Sequence, residues 1–187
     1  MRRIPLALGA LTLALGAVGL ASCGGSKASK ADIEAARTFD RFPLYWLGER
    51  FAKWDLAAID GLAYDSPIVT FIYGDCTPHG GEQPSCTPPL QVQVSPLCSH
   101  LDVVARAPIW RRREIRGAPV GTIDSAPVLF TRGAQVKVYR GEGSRPGDTM
   151  RALHALRSIN KVSPVIAASG SIPSPPRAVL EGAGPCA

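Results

Sequence analysis

The sequence predicts an α+β fold in which one antiparallel sheet is accompanied by a C-terminal helix and a short N-terminal helix. Two observations carry this prediction. Short runs that are rich in β-branched residues lie between residues 67 and 140, and residues 149–160 repeat apolar side chains at helical spacing. The chain also contains 19 glycines and 17 prolines, which supply the turns that such a sheet requires.

A short helix is predicted at residues 31–40, "ADIEAARTFD", which combine helix formers with an acidic first turn. The segment after it concentrates aromatic residues. Such a cluster can form a stacking platform for a ligand, but it more often forms core, because each ring buries a large area. The aromatic residues are Phe42, Tyr45, Trp46, Phe51 and Trp54.

Three candidate strands follow this cluster. Residues 67–73, "PIVTFIY", are rich in β-branched and aromatic residues. Residues 89–94, "PLQVQV", alternate strictly between apolar and polar positions. Residues 101–110, "LDVVARAPIW", form the third candidate, which Pro108 would end or place at a sheet edge. The apolar face of the second strand carries Leu90, Val92 and Val94.

An antiparallel meander is predicted at residues 117–140, where the extended runs "GAPVGTI", "PVLFT" and "AQVKVYR" are joined by Asp124-Ser125-Ala126 and by Arg132-Gly133. Short connections that contain glycine favour tight hairpins. The last run is predicted to have one buried face and one wet face. The buried face carries Val136 and Val138, and the wet face carries Gln135, Lys137 and Tyr139.

A helix is predicted at residues 149–160. Asp148 or Thr149 can cap its first turn, and Asn160 is a candidate stop. The remaining residues, 161–187, contain too much proline and glycine for long regular structure. The apolar face of the helix carries Met150, Leu153, Leu156 and Ile159.

The N-terminal residues have the layout of an export signal, in which Arg2 and Arg3 precede an apolar run at residues 4–20. This run is short for a membrane-spanning helix. The Leu20-Ala21-Ser22-Cys23 segment that follows resembles the lipobox of bacterial lipoproteins. In that family the signal is cut before the cysteine, which then carries a thioether-linked diacylglycerol. Two or more acyl chains hold a soluble domain stably on a bilayer.

The lipobox resemblance implies three regions. Residues 1–22 would be a signal peptide, residues 23–31 the lipidated cysteine and a flexible tether, and residues 32–187 a single extracytoplasmic domain on the outer face of the cell membrane. The chain is also similar to small, uncharacterised lipoproteins of high-GC Gram-positive bacteria, through "YWLG" at residues 45–48, "YGDC" at residues 73–76 and "CTPPL" at residues 86–90. The second resemblance implies no activity.

Four further cysteines remain, Cys76, Cys86, Cys98 and Cys186, and an even number in an exported chain predicts two disulfides. Of the three connectivities, the preferred one pairs Cys76 with Cys86 and Cys98 with Cys186. The second resemblance also favours the first of these pairs. A zinc site could use His79 beside Cys76 and His100 beside Cys98, but the spacing is unlike that of two close ligand pairs. The sequence predicts neither a metal nor a cofactor.

The charge is polarised along the chain. Residues 24–105 hold six basic and ten acidic side chains, whereas residues 106–161 hold twelve basic and four acidic ones. An exported domain does not meet nucleic acid as a normal partner. The basic half could therefore lie against anionic headgroups or envelope polymers, or it could be a solvated strand edge whose charges discourage pairing with another chain. The candidate anion-binding residues are Arg111, Arg112, Arg113 and Arg116.

The sequence contains none of the common catalytic motifs, such as His-Glu-x-x-His, Gly-x-Ser-x-Gly or a P-loop. His79, His100 and His154 are predicted to be exposed or structural. The leading hypothesis is a lipid-anchored envelope protein with a non-catalytic domain that binds a partner protein, an anionic polymer or a small ligand. The alternatives are an envelope enzyme with a site assembled from scattered residues and a purely structural component. A deep pocket of perturbed carboxylates or histidines would favour the enzyme.

Overall fold

The computed structural model describes residues 27–63, 65–75, 87–100, 109–162, 166–167 and 169–181, with the backbone alone at residues 99–100 and 109–112. The described residues form an eight-stranded sheet, a two-stranded sheet and short helices. The antiparallel sheet with helices at both ends of the chain confirms the predicted α+β class.

The helices are α1 at Lys30–Thr38, a 3₁₀ helix at Leu97–His100, α2 at Asp148–Ala155 and α3 at Arg177–Leu180. The strands are β1 at Tyr45–Trp46, β2 at Arg50–Phe51, β3 at Trp54–Asp60, β4 at Val69–Tyr73, β5 at Leu90–Pro96, β6 at Ile109–Ile115, β7 at Ala118–Ile123, β8 at Ala126–Phe130, β9 at Ala134–Arg140 and β10 at Arg157–Ser158.

The large sheet joins two meanders through its central pair of strands. Its order is β2-β3-β4-β5-β9-β8-β7-β6, and every neighbouring pair is antiparallel. The candidate strands at residues 67–73 and 89–94 pair as β4 and β5, and the predicted β7-β8-β9 meander is present. The pairing of β5 with β9, which sets Gln93 opposite Lys137 and Ser95 opposite Gln135, joins segments about 40 residues apart.

One face of the large sheet carries the main core. Valines of β5 and β9 pack there with α1, α2 and the aromatic segment. The predicted assignment of the aromatic cluster to the core is confirmed, because Phe42, Tyr45, Trp46 and Trp54 are buried and Phe51 is partly buried. On the opposite face a smaller cluster combines Leu97, Val128, Phe130 and Val179.

The folded domain begins earlier than the predicted boundary at residue 32. Lys27 forms an ion pair with Asp55 at 3.0 Å, and the Ala28 N–H donates to the carbonyl of Leu56 at 2.9 Å. Ser29 then caps α1 in a capping box with Asp32. Residues 27–31 of the predicted tether therefore belong to the domain, and residues 23–26 lie outside the described residues.

The predicted helix at residues 149–160 is shorter in the structure, where α2 ends at Ala155. The chain then becomes extended, because Arg157 and Ser158 pair with β1 and the Ile159 N–H donates to the carbonyl of Leu44. Asn160 is a buried link rather than a helix stop. Tertiary hydrogen bonds override the helical spacing of Leu156 and Ile159.

The candidate strand at residues 101–110 coincides with β6 at residues 109–110, and β6 lies at the sheet edge but ends later than predicted. Strand β6 begins at Ile109, directly after Pro108, and runs through the basic stretch to Ile115. Residues 101–108 lie outside the described residues.

Cys98 lies in the 3₁₀ helix and is disulfide-bonded. Cys76, Cys86 and Cys186 lie outside the described residues, so the preferred pairing stays a prediction. Within the described part of the chain, no helix is both long and apolar enough to cross a membrane.

Candidate functional site: a polar cleft on the central strands

Several of the residues singled out in the sequence lie outside the described residues, among them Cys23 and His79. The side chain of His100 is likewise outside them. His154 lies exposed on α2, as predicted.

The basic stretch lies on β6, which ends the strand order of the large sheet. This position agrees with a strand edge that carries charges. Arg111 and Arg112 are described by their backbone alone, and the side chain of Arg113 is exposed.

Arg116 differs from these three arginines, because its guanidinium donates hydrogen bonds to other segments of the domain. Arg116 and Gly117 form the two-residue turn between β6 and β7, and both have positive φ, 54° and 88°. From this turn the side chain donates hydrogen bonds to the carbonyls of His154, Leu156 and Gly170. Arg116 thus fastens the end of α2 and the C-terminal segment to the sheet.

A small polar cleft lies on the second face of the large sheet, over the central strands β5 and β9. Its volume is about 200 Å³. Apolar side chains of Ile68 and Ile123 flank it. The remaining lining residues are polar: Gln93, Ser95, Asp124, Gln135, Lys137 and Tyr139.

Gln135 forms the buried end of this cleft, with 8 % of its surface exposed. Its Nε2 donates to the Ser95 hydroxyl at 2.8 Å. In the part of the chain that the structure describes, Gln135 Oε1 is the one buried side-chain oxygen or nitrogen without a hydrogen-bond partner. Such a group costs about 1–3 kcal/mol of stability. It therefore calls for an explanation, such as a water or a ligand bound in the cleft.

Lys137 supplies the positive charge of the cleft. Its Nζ lies 2.9 Å from Asp124 Oδ2 and 4.7 Å from the centre of the Tyr139 ring. Burial acts to lower the pKa of Lys137, but hydrogen bonds to Tyr139 and Asp124 outweigh it and raise the pKa above its ordinary value. The ammonium therefore stays protonated at neutral pH and is held at a fixed point.

The cleft can bind a small polar molecule, since it offers an ammonium, an unsatisfied amide oxygen and neighbouring amide and hydroxyl groups. A second cavity of about 400 Å³ adjoins it and shares Asp124 and Tyr139. Among the described residues, no group of three or more His, Cys, Asp or Glu could hold a metal ion.

The alternation in the sequence predicts Gln135, Lys137 and Tyr139 together on a wet face, but it does not identify a site. Gln135 is buried instead, because Phe130 lies beside it and Ser95 opposite it in the sheet. The signal in the sequence was the run of polar residues on alternate positions of two separate strands, Gln91 and Gln93 on one and Gln135 and Lys137 on the other.

Comparisons of the chain with protein-family models, curated proteins and solved structures find no match.

Proposed function

We propose that this protein is a lipid-anchored extracytoplasmic binding protein that holds a small polar ligand in the cleft over β5 and β9. The observation that carries the proposal is the unpartnered oxygen of Gln135, at the buried end of a cleft whose other polar groups include a fixed ammonium. Proteins satisfy buried polar groups, so an acceptor left open beside a cavity favours a ligand that brings a donor.

Binding is favoured over the alternative of an envelope enzyme by the electrostatics of the cleft. A lysine that acts as a base or a nucleophile needs a lowered pKa, whereas the pKa of Lys137 is raised. Asp124, the carboxylate beside it, is mostly exposed and paired with the same lysine. This arrangement resembles a charged anchor for a ligand more than an acid and base pair.

The anchoring part of the proposal is supported by the lipobox pattern at Cys23 and by the early start of the domain. Lys27 and Ala28 are fastened to β3. Four residue steps separate Cys23 from Lys27, and an extended chain spans at most about 3.6 Å per residue. A lipid on Cys23 would therefore hold Lys27 within about 15 Å of the bilayer.

The disulfide pairing belongs to the same proposal. The β4–β5 register sets Tyr73 opposite Leu90. Cys76 follows the first by three residues and Cys86 precedes the second by four, so the register favours a bond that closes this hairpin. Cys98 would then pair with Cys186. A disulfide across a loop of this length stabilises by roughly 2–3 kcal/mol.

Replacing Cys23 tests the anchor. We expect Cys23→Ala to move nearly all of the protein from the membrane pellet to the soluble fraction, because no acyl chain can be attached. The control is Ser22→Ala, which keeps both the cysteine and a small residue before it. Retention of Cys23→Ala in membranes washed with high salt would contradict lipid anchoring and point to an uncleaved apolar segment.

A panel of small polar compounds tests the cleft, with the full chain in detergent and its Tm as the readout. We expect at least one amino acid, hydroxy acid, sugar or polyol to raise the Tm by about 5 °C or more at a hundredfold excess over Kd. In Gln93→Trp the indole fills the cleft, so the shift should vanish.

Gln91→Trp is the matched control for that variant. Gln91 lies two residues from Gln93 on the same face of β5 and does not line the cleft. The ligand should therefore still raise the Tm of Gln91→Trp. A shift that persists in Gln93→Trp would place the ligand elsewhere, and a panel without any shift would refute a binding cleft.

A further inference from the structure

The ion pair at the rim of the cleft is asymmetric. The Lys137 side chain is 15 % exposed, whereas that of Asp124 is 82 % exposed. Asp124 and Ser125 form the β7–β8 turn, with φ of 48° and 64°. Because the Asp124 carboxylate is mostly exposed, it can turn into solvent, and another anion can then take its place on the mostly buried ammonium of Lys137.

The opposite end of the cleft requires a hydrogen-bond donor. The open Oε1 of Gln135 can only accept a hydrogen bond, whereas Nε2 donates one of its two N–H groups to Ser95. A ligand made only of acceptors, such as a simple carboxylate or an inorganic anion, would leave this oxygen unpaired. A hydroxyl or amine on the ligand would satisfy it.

The size of the cleft limits the ligand to a small molecule. A cavity of about 200 Å³ is smaller than the roughly 300–1,000 Å³ pockets that hold drug-sized ligands. This room suits a small molecule better than a larger ligand. Ile68 and Ile123 would cover a short alkyl group at the sides.

We propose that the cleft binds a small hydroxy- or amino-carboxylate, whose carboxylate replaces that of Asp124 on Lys137 and whose hydroxyl or amine donates to Gln135. The inference rests on the proposed function, since it names the class of ligand for the same cleft. It adds that Asp124 competes with the ligand for the ammonium.

Three probes of nearly equal size separate the chemical requirements: lactate, propionate, which lacks the hydroxyl, and lactamide, which lacks the charge. Binding to the full chain in detergent is measured by calorimetry at low salt. We expect lactate to bind about tenfold more tightly than either of the others, because each lacks one charged or hydrogen-bonding contact. Lactamide that binds as well as lactate would overturn the proposal.

Variants of Asp124, Lys137 and Gln135 then identify which side chains contact the ligand. Asp124→Asn keeps a residue that tolerates positive φ and removes the competing charge, so lactate affinity should rise by about three- to tenfold. Lys137→Met should abolish lactate binding. Gln135→Met should remove the preference for lactate over propionate and leave propionate affinity unchanged. Weaker lactate binding in Asp124→Asn would overturn the displacement of Asp124.

The failure of this inference can be told apart from the failure of the proposed function. If only neutral compounds bind, and Gln93→Trp abolishes their binding, the cleft remains a binding site and the carboxylate class is wrong. If none of the three probes and no compound of the wider panel binds, both proposals fall.

Discussion

Replacing Asn160 by leucine is expected to lower the free energy of unfolding by about 3–5 kcal/mol. Asn160 is buried, and its side chain makes three hydrogen bonds to the backbone. Oδ1 accepts from the Leu44 N–H at 2.9 Å, and Nδ2 donates to the carbonyls of Phe39 and Phe42 at 2.9 and 2.8 Å. Leucine has nearly the same shape, so the loss comes from three buried backbone groups that are left without partners.

Urea unfolding followed by tryptophan fluorescence measures this loss, and the expected fall in Tm is about 6–20 °C. Gln135→Met is the matched control, since it also replaces a buried amide by an apolar side chain. Gln135 has one satisfied and one unsatisfied group, so its replacement should cost less than about 1 kcal/mol. A loss below about 1 kcal/mol in Asn160→Leu would contradict the role of Asn160, and a loss of about 3 kcal/mol or more in Gln135→Met would contradict the open state of Gln135.

The contrast between these two amides has a functional meaning. A residue kept for stability makes the hydrogen bonds that its surroundings allow, as Asn160 does. A residue kept for binding can leave one group open until a ligand arrives, at a cost in stability. Gln135 fits the second description, and its low expected cost of replacement is the signature that separates a site from a structural link.

The elements that the sequence predicted well are those set by neighbouring residues. The alternation in β5, the β7-β8-β9 meander and the acidic first turn of α1 are local patterns, and each appears in the structure. The cleft is different, because Gln93 and Lys137 meet only through the pairing of β5 with β9. The sequence of neither segment identifies its partner strand, so the site could not be predicted from the periodicity of the residues.

The end of α2 and the turn before β7 also escaped the sequence analysis, for physical reasons. Leu156 and Ile159 keep helical spacing, yet hydrogen bonds to the segment near Leu44 favour an extended chain there. Arginine is an unusual residue for positive φ. Arg116 occupies that conformation because its side chain then reaches carbonyls of two other segments.

The second large effect is expected at Arg116, where replacement by methionine should lower the free energy of unfolding by about 2–3 kcal/mol. Methionine keeps the unbranched apolar stem of the side chain and lacks the guanidinium. The variant removes the hydrogen bonds to the carbonyls of Leu156 and Gly170 and the positive charge at the C-terminal end of α2. Urea unfolding and amide hydrogen exchange near residues 154–156 and 170–172 measure the effect.

Arg116→Lys should recover only part of this stability, because an ammonium keeps the charge but lacks the planar fork that reaches two segments at once. A triple variant with glutamine at residues 111–113 provides the opposite contrast. It should, if β6 touches anionic surfaces, weaken pelleting with acidic liposomes at low salt. If Arg116→Met unfolds like the wild type but pellets poorly with acidic liposomes, the proposed roles are wrong. Arg116 would then contact the anionic surface and would not stabilise the fold.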